Sequence, residues 1–300
     1  MKIGVAGIGR MGAAIAERLL KNGHQVTVWN RTAAKAQALE PLGATVAKTP
    51  AQLAGAVDIV LSILTDADAI AATYDGPQGL LSGDVTGKLF VEMSTVRPEQ
   101  QRALGTRVSA KGARMIDCPV GGTTGPAREG KLIGFVGGDA ADLARARPAL
   151  EHLCRRIEHV GPIGAGASLK LAINLPLLVY WQAFGEAVAL CQPLGLDPAR
   201  LVDIFSDSSG GPNVLKVRGT MAAEALGGKP PANVTFDINL IRKDLSTMIA
   251  EAKSLGYDLP LTARALDCYD EAARNGEGAS DAVMMPVSWL KQGGKRKSDK

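Results

Sequence analysis

Lys170 and Asn174 stand four residues apart in a stretch whose other members are mostly apolar, Leu169, Leu171, Ile173 and Leu177 among them. In a helix that spacing puts both side chains on one face, within reach of a single small molecule. A lysine and an amide in an apolar helix are costly unless they are paired or used. An ammonium can give up a proton while offsetting negative charge that develops on an oxygen, and an amide one turn later can hold the same oxygen in place. A surface lysine whose stem lies along the helix is the plain alternative.

A second grouping is Gly7-Ile8-Gly9-Arg10-Met11-Gly12, which follows an apolar run at 3–6 and leads into Ala13-Ala14-Ile15-Ala16. Glycines at 7 and 9 permit a tight turn and let a pyrophosphate approach backbone amides, and Gly12 lets the helix pack close to the strand. At the head of a strand, turn and helix this pattern points to a dinucleotide, with a structural glycine turn as the alternative. Where the next strand candidate ends, an acid would accept from the adenosine ribose, whereas a base would pair with a 2′-phosphate. The chain has Asn30-Arg31-Thr32 there and no acid. NADP is therefore expected over NAD, with Arg31 on the phosphate and Asn30 and Thr32 adding neutral hydrogen bonds. An ordinary surface arginine on a turn is the competing explanation.

Apolar runs of strand length at 3–6, 25–29, 59–63, 89–93, 114–117 and 133–136 alternate with helical stretches, the pattern of βαβ units around a parallel sheet. Turn residues cluster at Gly161-Pro162-Ile163-Gly164-Ala165-Gly166, and no comparable strand follows. The expectation is an α/β chain with a Rossmann-like, doubly wound domain over 1–163. An all-helical domain is expected over 164–292, opened by a long helix at about 167–193 in which Pro176 is a kink candidate. Further helices are expected at 198–207, 213–226, 239–255, 260–275 and 279–291. Residues 293–300, with the basic run Lys295-Arg296-Lys297, read as a solvated flexible tail.

With 300 residues, 46% of them hydrophobic, the chain can bury a core in each of two domains. A net charge of +4, spread along the chain, gives no reason to expect a nucleic-acid partner. The 4 cysteines, Cys118, Cys154, Cys191 and Cys268, are widely separated, so neither a metal site nor a disulfide framework is expected. The 3 histidines all precede the Lys170 motif and form no recognisable relay. The nearness of the glycine motif to Met1 argues against a leader peptide, and no apolar run is read as long enough to cross a bilayer, so a cytoplasmic protein without a membrane partner is expected.

Three more segments carry a resemblance. Glu92-Met93-Ser94-Thr95-Val96-Arg97-Pro98 lies at the carboxyl end of a strand candidate; Asp117-Cys118-Pro119-Val120-Gly121-Gly122-Thr123-Thr124-Gly125-Pro126-Ala127 is a glycine-rich loop; and Phe236-Asp237-Ile238-Asn239-Leu240-Ile241-Arg242-Lys243-Asp244-Leu245 falls in the helical half. With the fingerprint and the Lys170 motif, Gly164 to Asn174, they span nearly the whole chain. The chain resembles the β-hydroxyacid dehydrogenases, which include hydroxyisobutyrate dehydrogenases and the tartronate semialdehyde and glyoxylate/succinic semialdehyde reductases.

The resemblance implies reversible hydride transfer between NADP(H) and a small β- or γ-hydroxy acid or its aldehyde or keto acid, with Lys170 and Asn174 catalytic. It places Arg10, Met11, Leu64, Thr65, Ser94, Thr95 and Lys243 on the cofactor, beside the three fingerprint glycines. Ser94, Gly121, Gly122, Thr123, Lys170, Asn174, Phe236 and Asp244 are placed on the substrate. Thr95 also reads as a helix N-cap. The glycines at 121 and 122 expose amides suited to an anionic group. Lys243 and Asp244, being adjacent, are expected to point apart, which leaves an ordinary helical surface as an alternative. A homodimer or homotetramer is implied.

The chain departs from the family's common Asp-x-Pro-Val-Ser-Gly-Gly, with Gly121 in place of serine and Thr123 in place of glycine. The resulting Pro-Val-Gly-x-Thr form resembles the sulfolactaldehyde reductase branch, which has an arginine where this chain has Gly122; lack of that cation argues against a sulfonate. Imine reductases resemble the same architecture but usually replace the lysine. A non-catalytic dinucleotide-binding scaffold, the third alternative, lacks it.

Overall fold

The computed structural model describes the backbone of residues 1–298 and the side chains of residues 1–291. It divides into two compact units, Met1–Leu171 and Ala172–Lys300. The first contains β1 (Lys2–Ala6), α1 (Arg10–Lys21), β2 (Gln25–Trp29), α2 (Ala33–Gln37), β3 (Thr45–Val46), α3 (Pro50–Ala56), β4 (Ile59–Ser62) and α4 (Ala67–Asp75). It continues with β5 (Leu89–Glu92), α5 (Pro98–Ala110), β6 (Arg114–Asp117), β7 (Val120–Gly121), α6 (Thr124–Glu129), β8 (Leu132–Gly137), α7 (Ala140–Leu153) and β9 (Cys154–Gly161). The helix α8 (Ala165–Cys191) begins in this unit and continues into the next.

The sheet has 9 strands in the order β3-β2-β1-β4-β5-β6-β8-β7, with β9 also paired to β8. The first six are parallel, as the doubly wound pattern predicts, but β8 runs antiparallel to β6. The sequence reading missed β9, whose Arg155, Arg156 and Glu158 are typical of a strand with an exposed face rather than a buried apolar run. It also missed the two-residue strands β3 and β7, too short to show periodicity.

Side chains alternate across the pleat, so each strand feeds two cores. Ile59, Leu61, Leu89, Val91 and Ile116 pack with Ile15, Leu19 and Leu150 on one face. Val60, Phe90 and Met115 pack with Leu53, Tyr74, Leu104 and Val108 on the other. Continuing this second alternation by two residues reaches Ser62, Glu92 and Asp117, which are register partners at the ends of β4, β5 and β6. The apolar face thus finishes in a buried polar row.

Among its described residues the second unit is helical: the rest of α8, then α9 (Pro198–Asp207), α10 (Asn213–Leu226), α11 (Ile238–Ser254), α12 (Pro260–Ala272) and α13 (Met285–Ser298). Pro176 lies inside α8, which is assigned as one continuous helix. By length and composition Ala165–Leu194 passes as a membrane span, which corrects the expectation that no run would. Burial of Leu178, Trp181, Phe184 and Val188 accounts for that apolar character, with Phe184 edge-on to Phe205 at 5.4 Å. The tail expected at 293–300 overlaps the end of α13, and residues 299 and 300 lie outside the described residues.

Candidate active site

Ala6 ends β1, and the chain turns at once into α1. Gly7 adopts φ +98°, and its N–H donates to the Trp29 carbonyl at 2.9 Å, which ties the turn to β2. A Cβ on Gly12 would run into the Gly7 carbonyl, so this close approach of helix to turn requires glycine. Around Gly9 the opposite holds. It is the N-cap of α1, it supplies no side-chain cap, and a Cβ there would meet nothing within 4 Å. The first amides of α1 therefore start beside open space, as an anion at a helix N-terminus needs. Arg10 is exposed and Met11 half-buried beside them.

At the end of β2, Asn30 Oδ1 accepts the Ile8 N–H at 3.0 Å and its Nδ2 donates to the Thr32 carbonyl at 3.0 Å. The Asn30 side chain thus braces the glycine turn. Arg31 and Thr32 are exposed, and no acid stands at this strand end. These residues fit a dinucleotide: open amides for a pyrophosphate at the helix start, with a cation flanking them.

Farther along the sheet the strand ends are buried. Glu92 is 0% exposed; its Oε2 accepts from the Ser62 hydroxyl and from Tyr74 OH, the latter at 3.4 Å, and its Oε1 accepts the Ser94 N–H at 2.8 Å. Ser94 Oγ in turn accepts the Leu64 N–H at 2.7 Å. One carboxylate therefore ties the loop after β5 to the loop after β4. Burial pushes the Glu92 carboxyl above its ordinary value, against bonds from Ser62 and Ser94 that pull it down. Burial, and then the Glu92 charge, drive the Tyr74 phenol well above its own.

Ser94 is itself buried, whereas Thr95 and Leu64 are half-buried and Thr65 is exposed. Thr95 is not the N-cap of α5. That position belongs to Arg97, because Pro98 fixes the first helical residue, and Gln100 Oε1 accepts the Arg97 N–H at 3.0 Å.

Asp117 ends β6, and its carboxylate accepts N–H bonds from Gly164 at 2.7 Å and Ala167 at 2.8 Å. Burial raises this carboxyl to about 6, the amides pulling the other way. The next residues form the glycine-rich loop, in which Gly121 and Thr123 are half-buried and Gly122 is exposed. Gly122 holds φ +126°, and a Cβ on it would press Leu132 at 2.8 Å, so neither an arginine nor another side chain fits without strain. A Cβ on Gly121 would meet Phe135 at 3.4 Å and Ile133 at 3.9 Å, both ordinary contacts, so the missing serine leaves room rather than relieving a clash.

Lys170 is half-buried on α8 and Asn174, one turn on, is buried. In the helical unit Asn174 Nδ2 donates to Asp244 Oδ2 at 3.4 Å, and Lys243 Nζ lies 2.6 Å from Asp244 Oδ1. The expectation that Lys243 and Asp244 would point apart is thus corrected: the lysine stem curls back to its neighbour. With Asp244 2% exposed, an ordinary helical surface is excluded there.

Phe236 is half-buried in a segment held by Asp281, which accepts from Thr235 N–H at 2.8 Å and from Arg218 Nη2 at 2.6 Å. Sequence reasoning gave no role to Glu92, Asp117 or Asp281. The signal available for the first two was an acid ending an apolar strand, where a charge is otherwise expensive.

The family model described as the NAD binding domain of 6-phosphogluconate dehydrogenase matches residues 2–161, and the NAD-binding domain of NADP-dependent 3-hydroxyisobutyrate dehydrogenase matches residues 164–287. The 3-hydroxyisobutyrate dehydrogenase of Pseudomonas aeruginosa is 34% identical over 89% of this chain and 90% of its own. Glyoxylate/succinic semialdehyde reductase 1 of Arabidopsis thaliana is 31% identical over 97% of this chain and 100% of its own. Among solved structures, the Mycobacterium tuberculosis 3-hydroxyisobutyrate dehydrogenase with L-serine superposes with a TM-score of 0.82 at 27% identity, covering 96% of this chain and 98% of that one.

Proposed function

Because this chain belongs to the β-hydroxyacid dehydrogenase family, we propose that it is an NADPH-dependent reductase of a small anionic aldehyde or keto acid. The observation that carries the cofactor choice is the end of β2, where exposed Arg31 stands with no acid beside it while Asn30 is occupied in bracing the glycine turn. A 2′-phosphate placed there gains a charge-assisted bond that a bare ribose hydroxyl does not.

Bound nicotinamide supplies a hydride to the substrate carbonyl carbon. As that carbon–oxygen double bond becomes single, Lys170 gives its proton to the oxygen and is later reprotonated from solvent, so the product is the hydroxy acid. Asn174, fixed by Asp244, holds the same oxygen or its neighbour in place. Backbone amides around Gly121, Gly122 and Thr123 take the substrate's carboxylate. Gly122 cannot carry an arginine without strain, which favours a carboxylate over a sulfonate. Leu190 and Val217, 84% and 74% exposed, support a homo-oligomer.

The test is NADPH and NADH oxidation across glyoxylate, succinic semialdehyde, tartronate semialdehyde, sulfolactaldehyde and cyclic imines, with propanal as the uncharged control. We expect NADPH and a carboxylate-bearing aldehyde to give the highest kcat/KM. Preference for NADH, or for propanal over every anionic aldehyde, overturns the reading.

A further inference from the structure

In α3, α4, α9 and α11 the side-chain cap comes from the adjacent N-cap residue, Thr49, Asp66, Asp197 and Asp237, and in α5 it comes from Gln100 within the first turn. The start of α8 is served differently. Its orphan amides at Gly164 and Ala167 donate to Asp117, a residue 47 and 50 positions away on β6. A local cap satisfies a helix end, whereas a remote one also fixes where that end lies.

The seat is built for the carboxylate. Asp117 is 0% exposed, and a Cβ on Gly137 would collide with one of its oxygens, while a Cβ on Gly166 would stand 2.8 Å from the other. Negative charge at a helix N-terminus is favourable in its own right. Lys170 follows Gly166 by one turn, and the glycine-rich loop starts at the residue after Asp117, whose Cys118 N–H is held by the Glu92 carbonyl at 2.8 Å. One buried carboxylate thus joins the helix that carries the lysine to the strand end from which the loop departs.

We propose that Asp117 is a positioning residue for the reduction: it pins the first turn of α8 to the end of β6 and so sets the Lys170 ammonium relative to the 118–124 loop. This rests on the reading of Lys170 as the proton donor. Asp117→Asn is isosteric but turns an NH₂ toward one of the donating amides, so the pin loosens without a change of volume.

The decisive experiment is a double-mutant cycle with Lys170→Met, using kcat for the best aldehyde from the screen, expressed per NADPH-binding site counted by fluorescence titration. In the lysine background Asp117→Asn should lower kcat by about tenfold or more, with NADPH affinity held within about twofold and a larger deuterium effect from labelled NADPH, as expected for misplacement of a reacting group. In the Lys170→Met background it should cost almost nothing further. Asp117→Ser, smaller and still an acceptor, repeats the cycle should the asparagine variant fold poorly. An equal loss in both backgrounds overturns the pin and leaves the lysine reading standing; a Lys170→Met enzyme with near-wild-type turnover overturns both.

Discussion

Two strand ends of the same sheet solve opposite problems. β2 ends in Asn30, Arg31 and Thr32, with the cation exposed and its neighbour bracing a turn, while β5 and β6 end in Glu92 and Asp117, both wholly buried. An exposed cation is cheap to keep and acts through whatever anion meets it, so removing it changes affinity for that anion alone. A buried carboxylate is costly unless every oxygen is used, and the bonds that use it are the ones that fix the loops. An exposed cation stands at one end of the sheet and hydrogen-bonded carboxylates are buried farther along it.

The contrast is broken most directly at Glu92. Glu92→Ala leaves the Ser94 N–H and the Ser62 hydroxyl without their buried acceptor, at a cost of ~3–5 kcal/mol of folding stability. Glu92→Gln, which keeps shape and can reverse the direction of its bonds to Ser62, should lose less than ~1.5 kcal/mol. Urea unfolding decides it; an alanine variant as stable as wild type would mean that the network does not hold the two loops.

Next in size, Lys170→Met keeps the stem and removes proton and charge together, so turnover should fall about 10²-fold while NADPH binding barely moves. Steady-state rates beside fluorescence titration measure both, and near-wild-type turnover removes Lys170 from the mechanism.

A titration sharpens the comparison further. The Asp117 carboxyl is raised from 3.8 to about 6, so the folded state takes a proton more readily than the unfolded chain. Stability tied to this group is therefore greatest below 3.8 and declines as pH climbs through about 6. Measured against Asp117→Asn, which does not titrate, wild type should lose relative stability between pH 4 and pH 7, by ~3 kcal/mol at most. A pH-independent gap between the two melting curves counts against a carboxylate that titrates in its seat.

The smallest effect belongs to the exposed end. Arg31→Ala should raise the KM for NADPH about tenfold, the scale of one charge-assisted bond, and leave NADH nearly untouched. Equal changes for both cofactors would return Arg31 to the status of a surface arginine.

Much of this was legible because it is local. The fingerprint glycines, the missing acid after β2 and the four-residue spacing of Lys170 and Asn174 each follow from chain geometry over a few residues, and so did the six longer buried strands and helices α9 to α12, whereas the last helix, expected at 279–291, spans Met285–Ser298. What failed was whatever depended on a distant neighbour. β9 carries arginines and a glutamate because one side of it meets solvent, and α8 has the apolar composition of a membrane span because helices of its own unit cover it.

The sequence by itself determined the doubly wound order of strands and helices and the dinucleotide turn, since periodicity and glycine conformation are properties of short segments. Only the tertiary structure decided that Glu92 and Asp117 are brackets rather than surface acids, that Asn30 serves the glycine turn, and that Asp244 lies between Asn174 and Lys243. A carboxylate's role depends on which amides face it, and amides 47 and 50 residues away are brought there by the register of the sheet and the path of the chain, which no local pattern encodes.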